Sequence, residues 1–365
     1  MMIKRKKTVF VGVSGGVDSS VSAALLKGQG YDVVGVFIRT WTPDFIECTW
    51  RDERRDAMRV CASLDIPFLE CDAEEAYKNG VADYMIEEYK KGNTPNPDVM
   101  CNREVKFGIF WKFARERGAD YIATGHYALN NCQLQTCLTD RQVANYELRK
   151  SKDKEKDQSY FLWTLTQEDL EHVLFPIGHL QKSEVRALAR KFRVPTAEKK
   201  DSQGVCFLGP LDMKEFLKHY IEPQKGKVLD RNGARIGSHD GALFFTLGER
   251  HGFKIDAHSS SDMPLYVIAK DVKDNTITVD SGYHSPFAMT RAYDLTHVNW
   301  ISGIPGKNNV YTAQIRYHGT YMPCSIDIKS TTEACITFED PVLASRGQSI
   351  VVYENDLCLG GGIIV

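Results

Sequence analysis

Two of the ten cysteines stand beside residues that can make a sulfur reactive. Cys101 lies in the stretch Asn96-Pro97-Asp98-Val99-Met100-Cys101-Asn102. Pro95 and Pro97 hold the approach extended. A helix beginning near Asp98, with Val105, Ile109 and Phe113 as its buried stripe, puts the thiol close to a helix N-terminus, where the thiolate is favoured. Asp98, three residues earlier, can cap that helix or exchange a proton beside the sulfur. The same spacing also describes a capped helix with an inert cysteine, and spacing alone does not separate the two. Cys206 follows Lys199-Lys200-Asp201-Ser202-Gln203-Gly204. A polar loop with lysine and glycine can expose and activate a thiol. Val205-Cys206-Phe207-Leu208 reads equally as a core strand, and taken alone that reading is the stronger. Cys48, Cys61, Cys71, Cys132, Cys137, Cys324, Cys335 and Cys358 lie mostly in apolar runs and read as structural thiols. No pair has the C-x-x-C spacing, which speaks against a zinc ribbon or a thioredoxin-type site.

A second chemistry sits at the start of the chain. Residues 8–13 form a short apolar run rich in β-branched residues, a buried strand. Ser14, Gly15 and Gly16 break it. Val21, Leu25 and Leu26 then make a helical stripe. Strand, glycine turn and helix start together form a phosphate cradle, because bare backbone N–H groups and the positive helix end face an anion. No lysine follows the glycines, so this is not a Walker A loop, and the dinucleotide pattern is also missing. Ser14-Gly15-Gly16-Val17-Asp18-Ser19 resembles the S-G-G-x-D-S loop of the PP-loop ATP pyrophosphatases, which cleave ATP to AMP and pyrophosphate. Without that resemblance it is a glycine turn with serine caps.

The elements that must position these residues follow in order. Residues 32–38, 66–71 and 120–124 read as further strands. Residues 51–64, 74–89 and 105–117 read as helices between them. Such alternation predicts an α/β fold with a doubly wound parallel sheet, whose ligands sit beyond the carboxyl ends of the strands. The 14–19 loop, Ile38 and Thr124-Gly125-His126 lie at such ends. His126 can contact a nucleotide or substrate there, although a lone strand-end histidine is often only a hydrogen-bonded structural residue. Residues 149–158 are a mixed-charge loop, 183–192 a helix with a basic outer face, and 212–220 another helix. From about residue 226 the period becomes 2, and Asn232-Gly233 between two apolar runs is a strong hairpin signal. Residues 310–318 alternate as a strand, and strands near 324–328, 334–338, 349–353 and 357–365 complete a small barrel. Arg316, Tyr317 and His318 at the end of the first suit RNA, a cation for phosphate and rings for stacking, or are simply a surface strand. The expected domains are 1–216, 217–283 and 284–365.

Composition sets limits. Hydrophobic content of 42% and charged content of 26% are those of a soluble globular protein. A net charge of −2 speaks against a wholly basic nucleic-acid coat and leaves room for a local basic face. No apolar run is long enough to span a membrane. No signal or transit segment is evident, so a cytoplasmic protein is expected.

Several motifs in fixed order extend the resemblance. They are the 14–20 loop, Asn96-Pro97-Asp98 with Cys101-Asn102, Ala123-Thr124-Gly125-His126-Tyr127, Lys156-Asp157-Gln158-Ser159-Tyr160-Phe161-Leu162, and the stretch 200–209. Leu247-Gly248-Glu249-Arg250-His251-Gly252 and the ending Cys358-Leu359-Gly360-Gly361-Gly362 continue it. Together they resemble the tRNA-specific 2-thiouridylases over essentially the whole chain. Ile38 stands where bacterial relatives often carry Met.

The resemblance implies an enzyme that replaces the C2 oxygen of the tRNA wobble uridine with sulfur, after ATP adenylates that oxygen. Cys206 would carry the sulfur as a persulfide received from a sulfur-relay protein or cysteine desulfurase. Cys101 would complete release, through a disulfide with Cys206 or by activating the sulfur, with Asp98 as acid/base partner. Gly12, Val13, Ser14, Gly15, Gly16, Val17, Asp18, Ser19, Ile38 and Gly125 would bind ATP. Asn96, Pro97, Asp98 and His126 would meet the target base. Lys156, Asp157, Gln158, Arg316, Tyr317 and Gln348 would hold the tRNA, expected to be that for Lys, Glu or Gln. Mg²⁺ is expected with the phosphates, and no residue is assigned to a metal. The loop around 199–204 is expected to close over the site, leaving the two cysteines farther apart than a disulfide allows in the free protein. Competing readings are a PP-loop enzyme adenylating a small substrate, a non-catalytic RNA-binding protein, and an iron–sulfur cluster held by Cys101 and Cys206.

Overall fold

The structure is a computed structural model that describes residues 5–46, 50–131, 145–201, 204–209, 211–256, 263–281, 289–306 and 310–365. The expectations at Cys48, Cys132, Cys137, Ser202 and Gln203 lie outside these residues.

The chain opens with β1 (Thr8–Gly12), α1 (Val17–Gly28), β2 (Asp32–Arg39), α2 (Trp50–Ser63) and β3 (Phe68–Asp72). A helical stretch follows as α3 (Glu74–Tyr77), a wide-turn segment Lys78–Asp83, and α4 (Tyr84–Lys90). A second runs as α5 (Pro97–Met100), a wide-turn segment Cys101–Ile109, and α6 (Phe110–Arg115). The strands β4 (Tyr121–Ala123), β5 (Ala128–Asn130) and β6 (Leu148–Lys150) precede α7 (Gln167–His172), β7 (Val173–Leu174), α8 (Lys182–Lys191) and α9 (Met213–Lys218). The first sheet has the order β3-β2-β1-β4-β7, and all its pairs are parallel. Side chains alternate across it, as a pleated strand requires. Val9 and Val11 pack with Val21, Ala57, Val60, Val185 and Ala189 on one face. Phe10, Val36 and Ile38 pack with Tyr77, Val81, Met85, Val105 and Phe110 on the other. The expected α/β fold with a parallel sheet covered on both faces is therefore observed. The chain leaves β1 toward β2 and later returns to β4 on its opposite side. The crevice between the ends of β1 and β4 is thus the switch point, where such folds bind ligands.

The wide turns were not foreseen by a 3.6-residue period. Each contains a glycine, Gly80 or Gly108. A Cβ on Gly108 would stand 2.8 Å from the Arg103 carbonyl oxygen, five residues back. Glycine lets that carbonyl approach as a π-type turn requires.

A second sheet holds β8 (Gly226–Leu229), β9 (Arg235–His239), β10 (Phe253–Ile255), β11 (Tyr266–Asp271) and β12 (Thr276–Asp280) in the order β10-β9-β8-β12-β11. The Asn232-Gly233 hairpin is present as β8–β9. The third unit is a closed six-stranded barrel of β13 (Thr290–Trp300), β14 (Tyr311–Gln314), β15 (Met322–Ile328), β16 (Ala334–Val342), β17 (Ser349–Glu354) and β18 (Leu357–Ile364). Its order is β13-β16-β15-β14-β17-β18, and β13 pairs with β18 to close it. β13 is absent from the sequence reading because a bulge after Thr296, with His297 at a φ of 52°, breaks its alternation. The strand expected over 310–318 ends at Gln314. The Gly319 N–H donates to the Arg316 carbonyl and Gln314 Nε2 to the Gly319 carbonyl, so 315–319 is a turn. Arg316 and Tyr317 therefore stand on a turn, not on a strand.

The barrel is fastened to the first unit. β6 pairs with β18, Trp163 Nε1 donates to Ser349 Oγ (3.1 Å), and Asn299 Nδ2 donates to the Trp163 and Leu165 carbonyls. Among the described residues no helix is long and apolar enough to cross a membrane.

Candidate active site

The glycine turn after β1 is tied to itself and to its neighbours. The Ser14 N–H donates to Ser19 Oγ (3.3 Å), and the Gly16 N–H to Ser14 Oγ (3.3 Å). Ser20 Oγ donates to the Gly16 carbonyl (2.6 Å). Gly16 caps α1 without any side-chain bond to the first amides, which keeps those donors open for an anion. Gly15 has a φ of +72°, and a Cβ there would stand 2.7 Å from Asp56 Cβ. Gly125 backs the loop from the end of β4, where a Cβ would stand 2.7 Å from the Ser19 nitrogen. Asp18 turns its carboxylate toward α8. Lys182 Nζ donates to both of its oxygens (2.7 and 2.8 Å), and Tyr127 OH donates to one (3.0 Å). Lys182 also meets Asp201 (2.8 Å), and Lys156 meets the same carboxylate (3.2 Å). Neither Lys182 nor Asp201 was singled out from sequence. A lysine at the first position of a helix carries no signal until the fold places α8 against α1.

The sulfur pocket is assembled from distant stretches. Asn96 caps the helix that bears Cys101 by accepting from the Val99 N–H (3.3 Å), with Pro97 in the first turn. Cys101 is fully buried one turn later. Residues 205–209 form a tight turn, the Val205 N–H donating to the Gly209 carbonyl (3.0 Å) and the Gly209 N–H to the Val205 carbonyl (2.9 Å). Phe207 in that turn has a φ of 65°, a costly conformation for a bulky residue. Three contacts hold the turn. The Cys206 N–H donates to Asp98 Oδ1 (2.9 Å), Tyr77 OH donates to the Cys206 carbonyl (2.8 Å), and the Lys106 ammonium stands 5.7 Å from the Phe207 ring. The result is a Cys101 Sγ to Cys206 Sγ distance of 3.2 Å between two free thiols. The separation expected for the free protein is thus not observed, because the turn is already pinned by Asp98 and Tyr77. The core-strand alternative for Cys206 also fails, since the residue is half-buried in a turn.

Charge distinguishes the two sulfurs. Burial, reinforced by the neighbouring Cys206, pushes the Cys101 thiol well above its ordinary pKa. The hydrogen bond from Cys101 lowers Cys206 despite burial, and Lys106 adds to the lowering. Burial raises Asp98, against the Cys206 N–H and Lys106. Burial opposes the charge of Lys106, but the two sulfurs outweigh it and hold the ammonium.

The remaining expected site residues divide. Ile38 lines a small cavity with Phe207 and Leu208, so the end of β2 meets the Cys206 turn. His126 is buried between Phe107 and Phe175, its Nδ1 bonded to Thr124 Oγ1 (2.7 Å). Asp157 is buried, accepting from the Ser151 N–H and Ser159 Oγ, and Gln158 Oε1 accepts from the Tyr127 N–H. Of that triplet Lys156 alone carries its polar group toward the Asp201 cluster at the surface. Arg316 is exposed, and Tyr317 packs on Phe161 with ring centroids 4.5 Å apart. Gln348 Oε1 accepts from the Ser345 N–H, in a loop that docks on Thr94 just before the Cys101 helix. Both barrel loops thus rest on the first unit, one on Phe161 and the other on Thr94.

Three family models match the chain in succession. They are described as a tRNA methyl transferase HUP domain over residues 7–210, a tRNA methyl transferase PRC-barrel domain over 214–281, and an aminomethyltransferase beta-barrel domain over 290–364. A tRNA-specific 2-thiouridylase MnmA from Francisella philomiragia is 40% identical over 362 residues, covering 98% of this chain and 99% of the relative. One of the same name from Oceanobacillus iheyensis is 44% identical over 362 residues, covering 98% and 94%. A solved 4-thiouridine synthetase–RNA complex with bound ATP is similar at 19% identity and a TM-score of 0.35, over 58% of this chain and 50% of that one.

Proposed function

The chain belongs to the tRNA-specific 2-thiouridylase family, and from that premise we propose that it exchanges the C2 oxygen of the wobble uridine of tRNA for sulfur, at the Cys101–Cys206 pair. One observation carries the reading: two sulfurs 105 positions apart in sequence (206 − 101) meet at 3.2 Å beside a carboxyl group. The family-model descriptions carry the word methyl, whereas the relatives' name is that of a thiolating enzyme. Paired thiols of unequal acidity suit sulfur transfer.

The chemistry uses each region for one task. ATP, the co-substrate of this PP-loop family, would lie with its phosphates on the uncapped amides at the start of α1. Transfer of AMP to the uridine C2 oxygen makes that oxygen a leaving group. Mg²⁺ would enter with the phosphates. It would offset the phosphate charge there, while the Asp18 carboxylate at the start of α1 is already held by Lys182 and Tyr127. Cys206, as thiolate, attacks the outer sulfur of a donor persulfide. One S–S bond forms, the donor's S–S bond breaks, and the donor departs as a thiolate. The Cys206 persulfide then attacks C2, and AMP leaves with the old oxygen. Cys101, having given up its proton, attacks Cys206, and the bond to the transferred sulfur breaks toward uridine. A Cys101–Cys206 disulfide remains, which an external dithiol reduces. Asp98, raised by burial and held against the Cys206 N–H, is placed to exchange the protons.

The target base leaves its stack to reach this pocket, meeting Asn96, Pro97 and His126. Lys156, Arg316, Tyr317 and Gln348 grip the tRNA around it. The sulfur donor is a relay protein or cysteine desulfurase, and the tRNAs are those for Lys, Glu and Gln, in the cytoplasm. This division of labour follows the boundaries 1–216, 217–283 and 284–365. Incubation with unmodified tRNA, ATP and a persulfide donor, followed by mass spectrometry of the nucleosides, is expected to yield 2-thiouridine at the wobble position and AMP. AMP formation on another substrate, with no thionucleoside, would overturn the reading in favour of a small-substrate adenylating enzyme.

A further inference from the structure

The sulfur pocket contains a cation that the motifs do not mark. Lys106 follows Cys101 by five residues within the wide-turn segment Cys101–Ile109. In a regular α-helix, residues five apart stand about 140° apart around the axis. A π-type turn closes on the fifth residue and brings it back over the first. The irregularity therefore carries Lys106 round to the face of Cys101. Its ammonium lies over the ring of Phe207, the residue next to Cys206 in the 205–209 turn, where it feels the charge of both sulfurs.

The groups facing Cys206 can be named from each element packed on it. Asp98, Cys101 and Lys106 come from its partner helix, and Tyr77 from α3. His126, at the end of β4, feels Lys106 and stays neutral because it is buried. Asp98 opposes negative charge on Cys206. The Cys101 thiol favours it while it keeps its proton, and that proton must go before Cys101 can attack. Lys106 favours it throughout.

We propose that Lys106 is a further catalytic residue, which holds Cys206 as a thiolate and then holds the anionic persulfide, and so makes Cys206 rather than Cys101 the sulfur acceptor. The proposal rests on the function given above. Its step is the attack already written: Cys206 thiolate gains the outer sulfur, the donor's S–S bond breaks, and the donor carries off the electron pair.

The test is the rate of Cys206 alkylation by iodoacetamide against pH, read by peptide mass spectrometry on the full-length protein. In Lys106→Gln the midpoint is expected to rise, and alkylation at pH 7 to slow about tenfold per unit of rise, since the thiolate is the nucleophile. Lys106→Arg, which keeps the charge, is expected to recover most of the wild-type profile. A Lys106→Gln profile that overlays wild type, in protein with unchanged circular dichroism, overturns the assignment. If that variant does not fold, Lys106→Met keeps the apolar stem over Phe207 and is read in the same way. A wild-type protein that thiolates no tRNA yet shows the Lys106-dependent shift sinks the functional reading alone. Thiolation with no such shift sinks the Lys106 assignment alone.

Discussion

The proposed phosphate loop is one contiguous stretch, residues 14–19, whose open groups are the uncapped backbone amides at the start of α1. The sulfur pocket is gathered from Tyr77, from Asp98, Cys101 and Lys106 on one helix, and from the 205–209 turn. The first depends on where the backbone lies, and its side chains mostly lock the turn. The second depends on which side chains meet, and its backbone is bent to let them. A substitution in the loop should thus act by moving the chain, and one in the pocket by removing a chemical group. The two should also fail independently, since the loop is backed by Gly125 and α2 and the pocket by α3 and Asp98.

The largest effect expected is at the cysteines. Cys101→Ser and Cys206→Ser should each reduce thiolation to background, while ATP binding persists. Cys206→Ser alone should lose the ability to accept a persulfide, because Cys101 is buried and its thiol is pushed up. Cys61→Ser and Cys335→Ser lie outside the pocket and should thiolate normally, with a stability cost of about 1–3 kcal/mol where the thiol is buried, as at Cys61. Thiolation assays and persulfide labelling on the four variants check this. Activity retained in either of the first two would remove the mechanism.

The loop gives the next effect. In Gly125→Ala the new Cβ would stand 2.7 Å from the Ser19 nitrogen and 2.9 Å from the Asp18 carbonyl carbon, both backbone atoms. The loop must shift, and a displacement of the reacting phosphates by even an ångström costs on the order of a hundredfold. Asp18→Ala should abolish AMP formation by a different route, deleting the carboxylate that Lys182 and Tyr127 hold. In both variants the pH profile of Cys206 alkylation should stay that of wild type. Pyrophosphate release and alkylation, measured on the same preparations, check the separation. A shift of both together would mean that loop and pocket form one unit.

The same contrast explains what could be read in advance. Strand, glycine turn and helix are local patterns, so the 14–19 loop and its sheet were legible from β-branched runs and helical spacing. The hairpin at Asn232-Gly233 was legible for the same reason. The pocket was legible only as two separate cysteines, each with an innocent alternative. Nothing local says that Tyr77 will hold the Cys206 carbonyl, or that Lys182 will reach Asp18 from α8. Lys106 was hidden by the period itself, since a 3.6-residue helix points it away from Cys101. The strand at 310–318 was overread because alternation continued past Gln314 into a turn. β13 was missed because a bulge shifts its buried set from Tyr293 and Leu295 to Val298.

The smallest effect tests the place where the two regions touch. Gly125 backs the loop, and the next residue, His126, lies against Phe107 of the Cys101 helix. Burial, with a lesser push from Lys106, lowers His126 well below the ordinary histidine pKa, so the folded protein keeps it neutral. The unfolded chain takes up a proton near pH 6.5. Between these values the unfolded state binds more protons, so stability must fall as pH drops below about 6.5 and be fully present above it. From pH 7 to pH 5 one such group accounts for a loss of up to about 2 kcal/mol. His126→Gln removes the titration. Its stability in urea should be lower than wild type at pH 8, for want of the ring between Phe107 and Phe175, but should fall less steeply toward pH 5. Parallel curves for the two proteins would mean that His126 is not held neutral. The junction would then be open enough for solvent to reach it, and the separation of loop and pocket would have to rest on α2 and α3 alone.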